Sequence, residues 1–416
     1  MPETAGFIVE PKKGSTTMTD LTIRPFEIHV PDEHLAELQR RIAATRQPSK
    51  ETVADRSQGV QLTTIQALVT HWGTGYDWRT CEAKLNALPQ FTTEIDGLGI
   101  HFIHVKSQHG NALPLIITHG WPGSVLEMLE VVGPLTDPAA HGGRADDAFD
   151  LVLPSLPGYG FSDQPTEVGW DPVRTARAWA EVMHRLGYTR YVAQGGDVGA
   201  AVTDTMAIQA PDGLAGIHLN FLRRPPPDVT AALFGGAPVP EGLTEEERAA
   251  FAAFGAQFRK VYITEQGQSP QTIGYSLTDS PAGLAAWMLD HDTDSYDKIS
   301  RAFAGRQPSG GLTRDHILDN ITLYWLTGTA TSAARMYWES ARGAAAAAGH
   351  PIPEVSLPVA FTVFPGEIFQ APRSWVEKVY PNLIYFHEAG KGGHFAAWEE
   401  PDLFVTELRE AFRSLR

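Results

Sequence analysis

RYVAQGGDVG, residues 190–199, leads into a helix-forming run that continues to about residue 210. Its apolar YVA segment is typical of a buried strand, and the glycines that follow permit a sharp turn from that strand into the helix. Residues 195–199 therefore have the form glycine, x, nucleophile, x, glycine, with Asp197 at the central position. The alternative interpretation is a turn aspartate that only caps the helix. Either interpretation predicts a strand, a turn and a helix, and the first adds a nucleophilic carboxylate.

A second turn motif, HGWPGS at residues 119–124, follows the apolar run PLIIT. In hydrolases with a nucleophile turn of this form, a backbone N–H from such a loop supplies one half of an oxyanion hole. The N–H after the nucleophile supplies the other half. Trp121 and Val198 are the residues that would provide these two N–H groups. An ordinary Gly-Pro turn is the alternative.

A histidine and an acid near the C-terminal end are candidates for the base and the orienting acid that would act with Asp197. His394 lies in KGGHF, residues 391–395, between the strand-like LIYF and the last helix. Glu367 follows the strand-like VAFTVF in a Pro-Gly-Glu turn, so the chain order is nucleophile, acid, histidine. Glu388 is the alternative acid, but it shares a strand-to-loop segment with His394 and would have to fold back. We expect Glu367 to hold the imidazole, because an acid at a neighbouring strand end approaches it directly.

The wider pattern of the chain predicts a parallel sheet. From about residue 98, strand-like apolar runs alternate with helical stretches: GIHFIHV, LPLIITHG, FDLVLPSL, RYVAQGG and LAGIHLN. Such alternation is typical of a parallel sheet covered by helices. Residues 221–350 interrupt it, because they open with the proline-rich RRPPPDV and are then helical in pattern. The core is therefore predicted to be split by an inserted helical cap.

We divide the chain into four segments on this basis. Residues 1–97 form an N-terminal module with two amphipathic helices, in which residues 1–20 are expected to be a flexible tail. Residues 98–220 are the first part of the α/β core and residues 351–416 the second. The cap comprises residues 221–350.

Aromatic residues mark one helix of the cap. Thr244 and the glutamate three positions later match a capping box, which predicts a helix start. Phe251, Phe254, Phe258 and Tyr262 follow at spacings of 3, 4 and 4. This spacing predicts a single helix that carries Tyr262 on the same face as the three phenylalanines.

Composition excludes several classes of function. The 416 residues carry a formal net charge of −16, from 49 acidic and 33 basic residues, which argues against a nucleic-acid or anionic-membrane partner. Cys81 is the single cysteine, so an internal disulfide and a cysteine-built metal site are excluded. The N-terminal residues have neither the apolar core of a signal peptide nor a long apolar run. We therefore expect a cytoplasmic protein without a membrane anchor.

The motifs do not call for a cofactor or a metal. LPGYGFSD, residues 156–163, is glycine-rich, but Asp163 stands where the third glycine of a dinucleotide fingerprint belongs. His101 and His104 alternate along one strand-like run, and four further histidines lie in different segments without ligand-like partners nearby: His291, His316, His350 and His387. We expect no cofactor and no metal, and the partners we expect are a small molecule, neutral or cationic, and water. A homo-oligomer is left open.

Taken together, the motifs resemble those of the epoxide hydrolases of the microsomal type, within the α/β-hydrolase superfamily. The resemblance covers almost the whole chain from about residue 22: an N-terminal epoxide hydrolase module, HGWPGS, LPGYGFS, GGDVG, a helical cap and GGHFAAWEEP. It implies an α/β-hydrolase fold with a mostly parallel sheet and helices on both faces. A helical cap inserted into the core and an N-terminal helical extension complete that expectation.

The resemblance also implies roles for single residues. The family's nucleophile, orienting acid and base match Asp197, Glu367 and His394. Two cap tyrosines of the family hydrogen-bond the epoxide oxygen. One matches Tyr337 in SAARMYWES, and the other matches Tyr262, with Tyr275 as the reserve. Many relatives carry an aromatic residue after the nucleophile where this chain has Val198, so a roomier pocket floor is expected.

The function that the resemblance implies is that of a hydrolase acting on ether bonds. An apolar epoxide, aryl epoxides included, would be opened to a vicinal diol through a covalent aspartyl ester, in detoxification or natural-product biosynthesis. One rival is a haloalkane dehalogenase-like hydrolase, which shares the aspartate and the histidine but must stabilise a halide. The other is a non-catalytic ligand-binding protein on the same fold. Paired cap tyrosines favour the epoxide, and the complete Asp-Glu-His set argues against a non-catalytic protein.

Overall fold

A mixed sheet forms the centre of the protein. The computed structural model describes residues 22–305, 310–347 and 353–416. Its strands, in chain order, are β1 (Arg24–Pro25), β2 (Gln90–Ile95), β3 (Leu98–Val105), β4 (Leu113–Thr118), β5 (Phe149–Pro154), β6 (Tyr191–Gly195), β7 (Leu214–Leu219), β8 (Val359–Val363) and β9 (Leu383–Glu388). They lie in the order β1-β2-β3-β5-β4-β6-β7-β8-β9. From β5 across to β9 the neighbours are parallel, whereas β1, β2 and β3 pair antiparallel, so the sheet is mostly parallel.

Helices connect the strands and form a long insertion. In chain order they are α1 (Asp32–Ala43), α2 (Leu62–Thr74), α3 (Trp78–Asn86), α4 (Leu129–Thr136), α5 (Pro172–Arg185), α6 (Asp197–Gln209), α7 (Pro227–Phe234), α8 (Glu245–Gln257), α9 (Val261–Gln268), α10 (Pro270–Asp279), α11 (Pro281–Leu289), α12 (Thr293–Phe303), α13 (Arg314–Thr327), α14 (Ala330–Ala347), α15 (Arg373–Val379), α16 (Ala396–Glu399) and α17 (Pro401–Ala411). Helices α7 to α14 all fall between β7 and β8 and make up the cap. The four segment boundaries drawn from the sequence stay a prediction.

The sheet begins earlier in the chain than the sequence pattern predicted. β1 and β2 lie in the N-terminal residues, where only helices were expected. β2 joins β3 through a two-residue turn: Ile95 lies opposite Leu98, and Asp96 and Gly97 have φ values of 52° and 77°. An Asp-Gly pair is typical of such a hairpin. The signal for this hairpin was therefore present in the sequence and was missed.

The aromatic cap helix is in fact two helices. Thr244 forms the predicted capping box with Glu247, but α8 ends at Gln257, and Tyr262 lies in the first turn of α9. The prediction of one helix that carries Tyr262 on the phenylalanine face is therefore wrong. Tyr262 makes a tertiary contact that spacing along the chain does not predict: it stacks on Trp121 of the core with ring centroids 4.9 Å apart.

Residues of the N-terminal module, in α2 and in the loops on either side of it, form hydrogen bonds and an ion pair with the cap. Trp72 on α2 donates its indole N–H to a threonine hydroxyl of α13 at 3.0 Å, and the Tyr76 hydroxyl donates to the Asp319 carboxylate of α13 at 2.7 Å. Arg56 pairs with Asp290, just after α11, at 3.0 Å. The cap is thus bonded to the N-terminal module as well as to the core.

Helices α1 and α2 confirm the two amphipathic helices predicted near the N-terminus. The predicted tail, residues 1–20, lies outside the described residues. Within the ranges that the structure describes, no helix combines the length and the apolar character needed to cross a membrane.

Candidate active site

Asp197 lies at a tight turn between β6 and α6. Its φ is 48°, a left-handed value that is uncommon for any residue other than glycine. Small neighbours make the turn sterically feasible: a Cβ at Gly199 would lie 1.9 Å from the backbone oxygen of Thr118. Helix α6 therefore begins in contact with the end of β4. The strand, turn and helix predicted around Asp197 are confirmed, and the turn places its carboxylate at the carboxyl ends of the parallel strands.

The loop after β4 lies against this carboxylate. The backbone N–H of Trp121 donates to Oδ1 of Asp197 at 2.8 Å. Val198 is the second residue of α6, and its N–H belongs to the first helical turn, where N–H groups have no carbonyl partner within the helix. A Cβ at Gly120 would lie 2.2 Å from the same Oδ1, so a larger residue there would displace the carboxylate. Both predicted oxyanion residues therefore border Asp197.

His394 and Glu367 are brought together by the loops that follow β8 and β9. A backbone hydrogen bond between glycines of the two loops, 2.9 Å long, joins them. Oε1 of Glu367 lies 2.5 Å from Nδ1 of His394, and both side chains are buried. On the other side of the ring, Nε2 of His394 lies 3.3 Å from Oδ2 of Asp197. Glu388, the alternative acid, is exposed at the end of β9.

Charge pairing sets the protonation of these groups. Burial alone would lower the pKa of the His394 imidazole, but the carboxylates of Glu367 and Asp197 raise it well above its ordinary value. Burial would raise the pKa of Asp197, but the hydrogen bond and charge of His394 and the hydrogen bond from the Trp121 amide lower it to about 2. Both shifts favour an ionised Asp197 beside a protonated His394.

Two tyrosines of the cap face the same region. Tyr262 is buried against Trp121, and the half-buried Tyr337 ring lies 6.0 Å from Trp121 and 6.1 Å from Tyr262, edge to face in both cases. Burial, and then the charge of Asp197, raise the pKa of both phenols well above the ordinary value. Both hydroxyls are therefore protonated. The reserve candidate Tyr275 is 71% exposed and does not line the site.

A second imidazole, that of His291, lies in the site and was missed by the sequence reasoning. Its ring centroid is 4.6 Å from that of His394 and 5.1 Å from that of Tyr262. The ring is buried, and its Nδ1 lies 2.9 Å from Oδ2 of Asp292. His291 lies in the loop between α11 and α12, outside the recurring motifs, so only the folded cap brings it here. The one local signal was Asp292, the residue that caps α12.

A small cavity adjoins the nucleophile and, within the described part of the chain, is lined by core residues. Glu127 and Gln194 line it together with Asp197 and His394, and it has room for one water molecule. Oε1 of Glu127 and Oε1 of Gln194 are buried without a hydrogen-bond partner in the described part of the chain. Burial raises the pKa of the Glu127 carboxyl to about 8. Sequence reasoning missed both residues, because neither stands in a pattern that marks chemistry.

Helix α13 of the cap holds the loop that carries the Trp121 amide. Asn320 donates to the carbonyl of Pro122 and the Tyr324 hydroxyl donates to that of Gly123, both at 2.7 Å. A serine hydroxyl of the same loop donates back to Asn320 at 2.7 Å. These groups are buried, so the cap fixes the backbone of this loop.

Three titratable groups converge at the centre of the site. One ring nitrogen each of His291 and His394 and one carboxylate oxygen of Asp197 lie within 4.8 Å of one another. Each imidazole has a carboxylate at Nδ1, Asp292 for the first and Glu367 for the second. Paired acids and imidazoles at such distances are suited to moving protons. That the protein uses no cofactor and no metal stays a prediction.

Comparison with known proteins agrees with the fold and with the motifs. The family model "Epoxide hydrolase N terminus" matches residues 23–128, and the model "alpha/beta hydrolase fold" matches residues 114–260. The crystal structure of juvenile hormone epoxide hydrolase from the silkworm Bombyx mori has a TM-score of 0.82 and 31% sequence identity. The match covers 95% of this chain and 96% of the silkworm chain.

Curated relatives match over nearly the full length. A Stigmatella aurantiaca protein whose name marks it as a candidate epoxide hydrolase is 51% identical over 399 residues, 95% of this chain and 86% of the relative. Epoxide hydrolase 1 of Sus scrofa is 35% identical over 406 residues, 94% of this chain and 88% of the relative. The sequence resemblance is therefore confirmed, and the chain belongs to the epoxide hydrolases of the microsomal type, which have the α/β-hydrolase fold.

Proposed function

We propose that the protein opens an apolar epoxide with the Asp197 carboxylate and then hydrolyses the ester to release a vicinal diol. The position of that carboxylate is the observation that carries the proposal. It accepts from the Trp121 amide at 2.8 Å and lies 3.3 Å from the His394 imidazole, below two protonated cap tyrosines. A nucleophile, a base held by an acid, and two phenol donors are the groups that this reaction needs.

In the first step Asp197 attacks an epoxide carbon, the bond from that carbon to the ring oxygen breaks, and the oxygen becomes an alkoxide. An ionised carboxylate needs no base to act as the nucleophile. The high-energy species is the alkoxide, which Tyr262 and Tyr337 stabilise by donating from their hydroxyls. A haloalkane dehalogenase has no alkoxide to protonate, so the paired phenols favour the epoxide.

In the second step His394 takes a proton from water, which attacks the ester carbonyl of Asp197. Ester formation removes the Asp197 charge that helps to raise the pKa of His394, so the imidazole can release its proton and then act as a base. The oxyanion forms between the Trp121 and Val198 amides. The cavity beside Glu127 offers a place for the attacking water.

Apolar surroundings support an apolar substrate. The rings of Phe221 and Phe395 lie edge-on to His394, with centroids 5.9 and 5.0 Å away, and the Trp121 ring closes the site under the cap. An apolar cavity bordered by Met288 extends from His291 into the cap. We assign apolar epoxides, aryl epoxides included, as the substrate class.

We expect Glu367→Gln to slow hydrolysis of the ester more than its formation. The carboxylate acts on the imidazole of His394, and the imidazole serves as a base only in the second step. Losing the charge that orients a triad histidine costs up to about 10⁴-fold. Rapid-quench kinetics separates the two steps. Glu388→Gln, at an exposed acid of the neighbouring strand, is the matched control, and the assignment is wrong if this control slows hydrolysis while Glu367→Gln does not.

The proposed function is tested by product analysis of the purified protein. A panel of aryl and alkyl epoxides is assayed for diol release, and haloalkanes are assayed for halide release under the same conditions. We expect diol from apolar epoxides and no halide. Halide release without diol would identify a dehalogenase. If neither diol nor halide is released, a ligand-binding protein is the remaining interpretation.

A further inference from the structure

His291 and Asp292 are buried titratable residues that the two steps above do not use. The His291 ring lies close to both Tyr262 and His394, with centroids 5.1 and 4.6 Å from its own. Its other ring neighbours, Trp121 and a phenylalanine, carry no charge. His291 therefore contacts both a proton donor of the first step and the base of the second.

Asp292 fixes the orientation of the His291 ring. Its Oδ1 accepts from the N–H of Ser295 at 2.8 Å and caps α12, while its Oδ2 lies 2.9 Å from Nδ1 of His291. Burial alone would raise the pKa of the Asp292 carboxyl, but the hydrogen bond from His291 and the charge of His394 hold it below its ordinary value. An ionised carboxylate therefore holds the Nδ1–H of the ring. Nε2 of His291 is buried without a hydrogen-bond partner among the described residues, and it is the nitrogen free to exchange a proton.

The proposed reaction leaves one proton to be moved between its two steps. In the resting site His394 is protonated and Tyr262 carries its hydroxyl proton. When Tyr262 gives that proton to the alkoxide it becomes a tyrosinate, while His394 still carries the proton that it must lose before it can act as a base. The site then holds a donor and an acceptor for the same proton, and both are ring neighbours of His291.

We propose, on the basis of the proposed function, that His291 carries this proton from His394 to Tyr262. Nε2 of neutral His291, which has no hydrogen-bond partner among the described residues, accepts the proton through one bridging water. The resulting imidazolium is stabilised by the Asp292 carboxylate until Nε2 passes the proton, again through a water, to the tyrosinate oxygen. One N–H bond of His394 breaks, one O–H bond of Tyr262 forms, and His291 ends neutral. Asp197, whose carboxylate lies within 4.8 Å of a ring nitrogen of His291, is a neutral ester at this stage.

The proton balance of the whole cycle closes with this step. Ester formation consumes the proton of His394, which ends on the new hydroxyl of the ester through Tyr262. In hydrolysis one proton of water goes to His394 and the other ends on the alcohol oxygen that leaves the ester, while Asp197 regains its negative charge. The net reaction is epoxide plus water to diol, and no outside acid or base is required.

The experiment compares wild type with His291→Ala in a single turnover. Stopped-flow absorbance follows tyrosinate, and rapid quench follows the ester, with an epoxide that the wild type hydrolyses. We expect the tyrosinate signal to persist in the variant and ester hydrolysis to slow on the order of 10²-fold. Added imidazole should restore the rate by filling the space of the missing ring, and restoration should vary with the pKa across a series of substituted imidazoles.

Two further variants separate proton transfer from packing. Asp292→Asn removes the charge but keeps a good helix cap, so we expect a folded protein with hydrolysis slowed about 10-fold. His71→Ala is the matched control, because His71 forms a 2.8 Å pair with Asp315 outside the site. It should hydrolyse the ester at the wild-type rate and should not respond to imidazole.

Several results would overturn the relay. If both His291→Ala and Asp292→Asn hydrolyse the ester at the wild-type rate, His291 has no role in proton transfer. If added imidazoles restore a slow rate irrespective of their pKa, His291 has a packing role instead. Loss of wild-type activity on dialysis against EDTA would assign the two imidazoles to a metal. A wild-type protein that releases no diol from any epoxide refutes the proposed function itself, so the two failures are distinguishable.

Discussion

His394→Gln is expected to form the Asp197 ester and then to keep it. The first step needs no base, whereas the second needs the imidazole to deprotonate water, so steady-state diol release should fall by roughly 10⁴-fold or more. Mass spectrometry of the variant after mixing with an epoxide should show protein heavier by one substrate, with the adduct on the peptide that contains Asp197. The double variant Asp197→Ala/His394→Gln is the control and should acquire no adduct.

A single turnover of the wild type in H₂¹⁸O, with enzyme in excess, tests the same route independently. The oxygen that enters the diol should come from the Asp197 carboxylate, and the label should end on Asp197, because water attacks the carbonyl carbon. Direct attack of a His394-activated water on the epoxide predicts labelled diol in the first turnover and no adduct in the variant. That pair of results would refute Asp197 as the nucleophile even if diol is the product.

The double variant Tyr262→Phe/Tyr337→Phe is expected to lose nearly all ester formation. Each tyrosine donates one hydrogen bond to the developing alkoxide, and removing one such donor costs about 10²-fold or more. Each single variant should therefore form the ester slowly, and the double variant should be close to inactive. Phenylalanine keeps the ring contacts with Trp121, so the fold should be retained. Single-turnover ester formation measures the effect, and circular dichroism checks the fold.

Tyr275→Phe is the matched control for these variants. Its hydroxyl belongs to the same cap but is 71% exposed, so ester formation should be unchanged. If Tyr275→Phe loses the activity and Tyr262→Phe keeps it, the assignment of the first cap tyrosine is wrong.

Local patterns predicted the parts of the site that stand next to strand ends. The turn around Asp197, the loop of Trp121 and the turns of Glu367 and His394 each follow an apolar run, and the carboxyl ends of parallel strands meet at one edge of the sheet. Their convergence therefore followed from the strand pattern. Tyr337 and Tyr262 came from the resemblance alone, since nothing in their spacing points to the core.

The residues that were missed depend on tertiary packing. His291 reaches the site only because α11 and α12 fold over the core, and a lone histidine in a loop has no pattern that marks it. The break between α8 and α9 accompanies the stacking of Tyr262 on Trp121, a contact between cap and core that local propensity does not encode. Glu127 lies in a 3-10 turn after the HGWPGS loop, and only its burial near Asp197 distinguishes it.

The hydrogen bonds from α13 to the loop after β4 make the cap unsuitable as an interchangeable module. Asn320 and Tyr324 bond the carbonyls directly after Trp121, so a foreign cap without these two side chains would leave two buried carbonyls unpaired and the neighbouring amide misplaced. A chimera that takes its cap from another relative should therefore keep its rate of ester cleavage only when α13 and HGWPGS come from the same parent. The cap that borders the substrate site therefore also positions the Trp121 amide, so replacing it changes the rate of catalysis together with the substrate range.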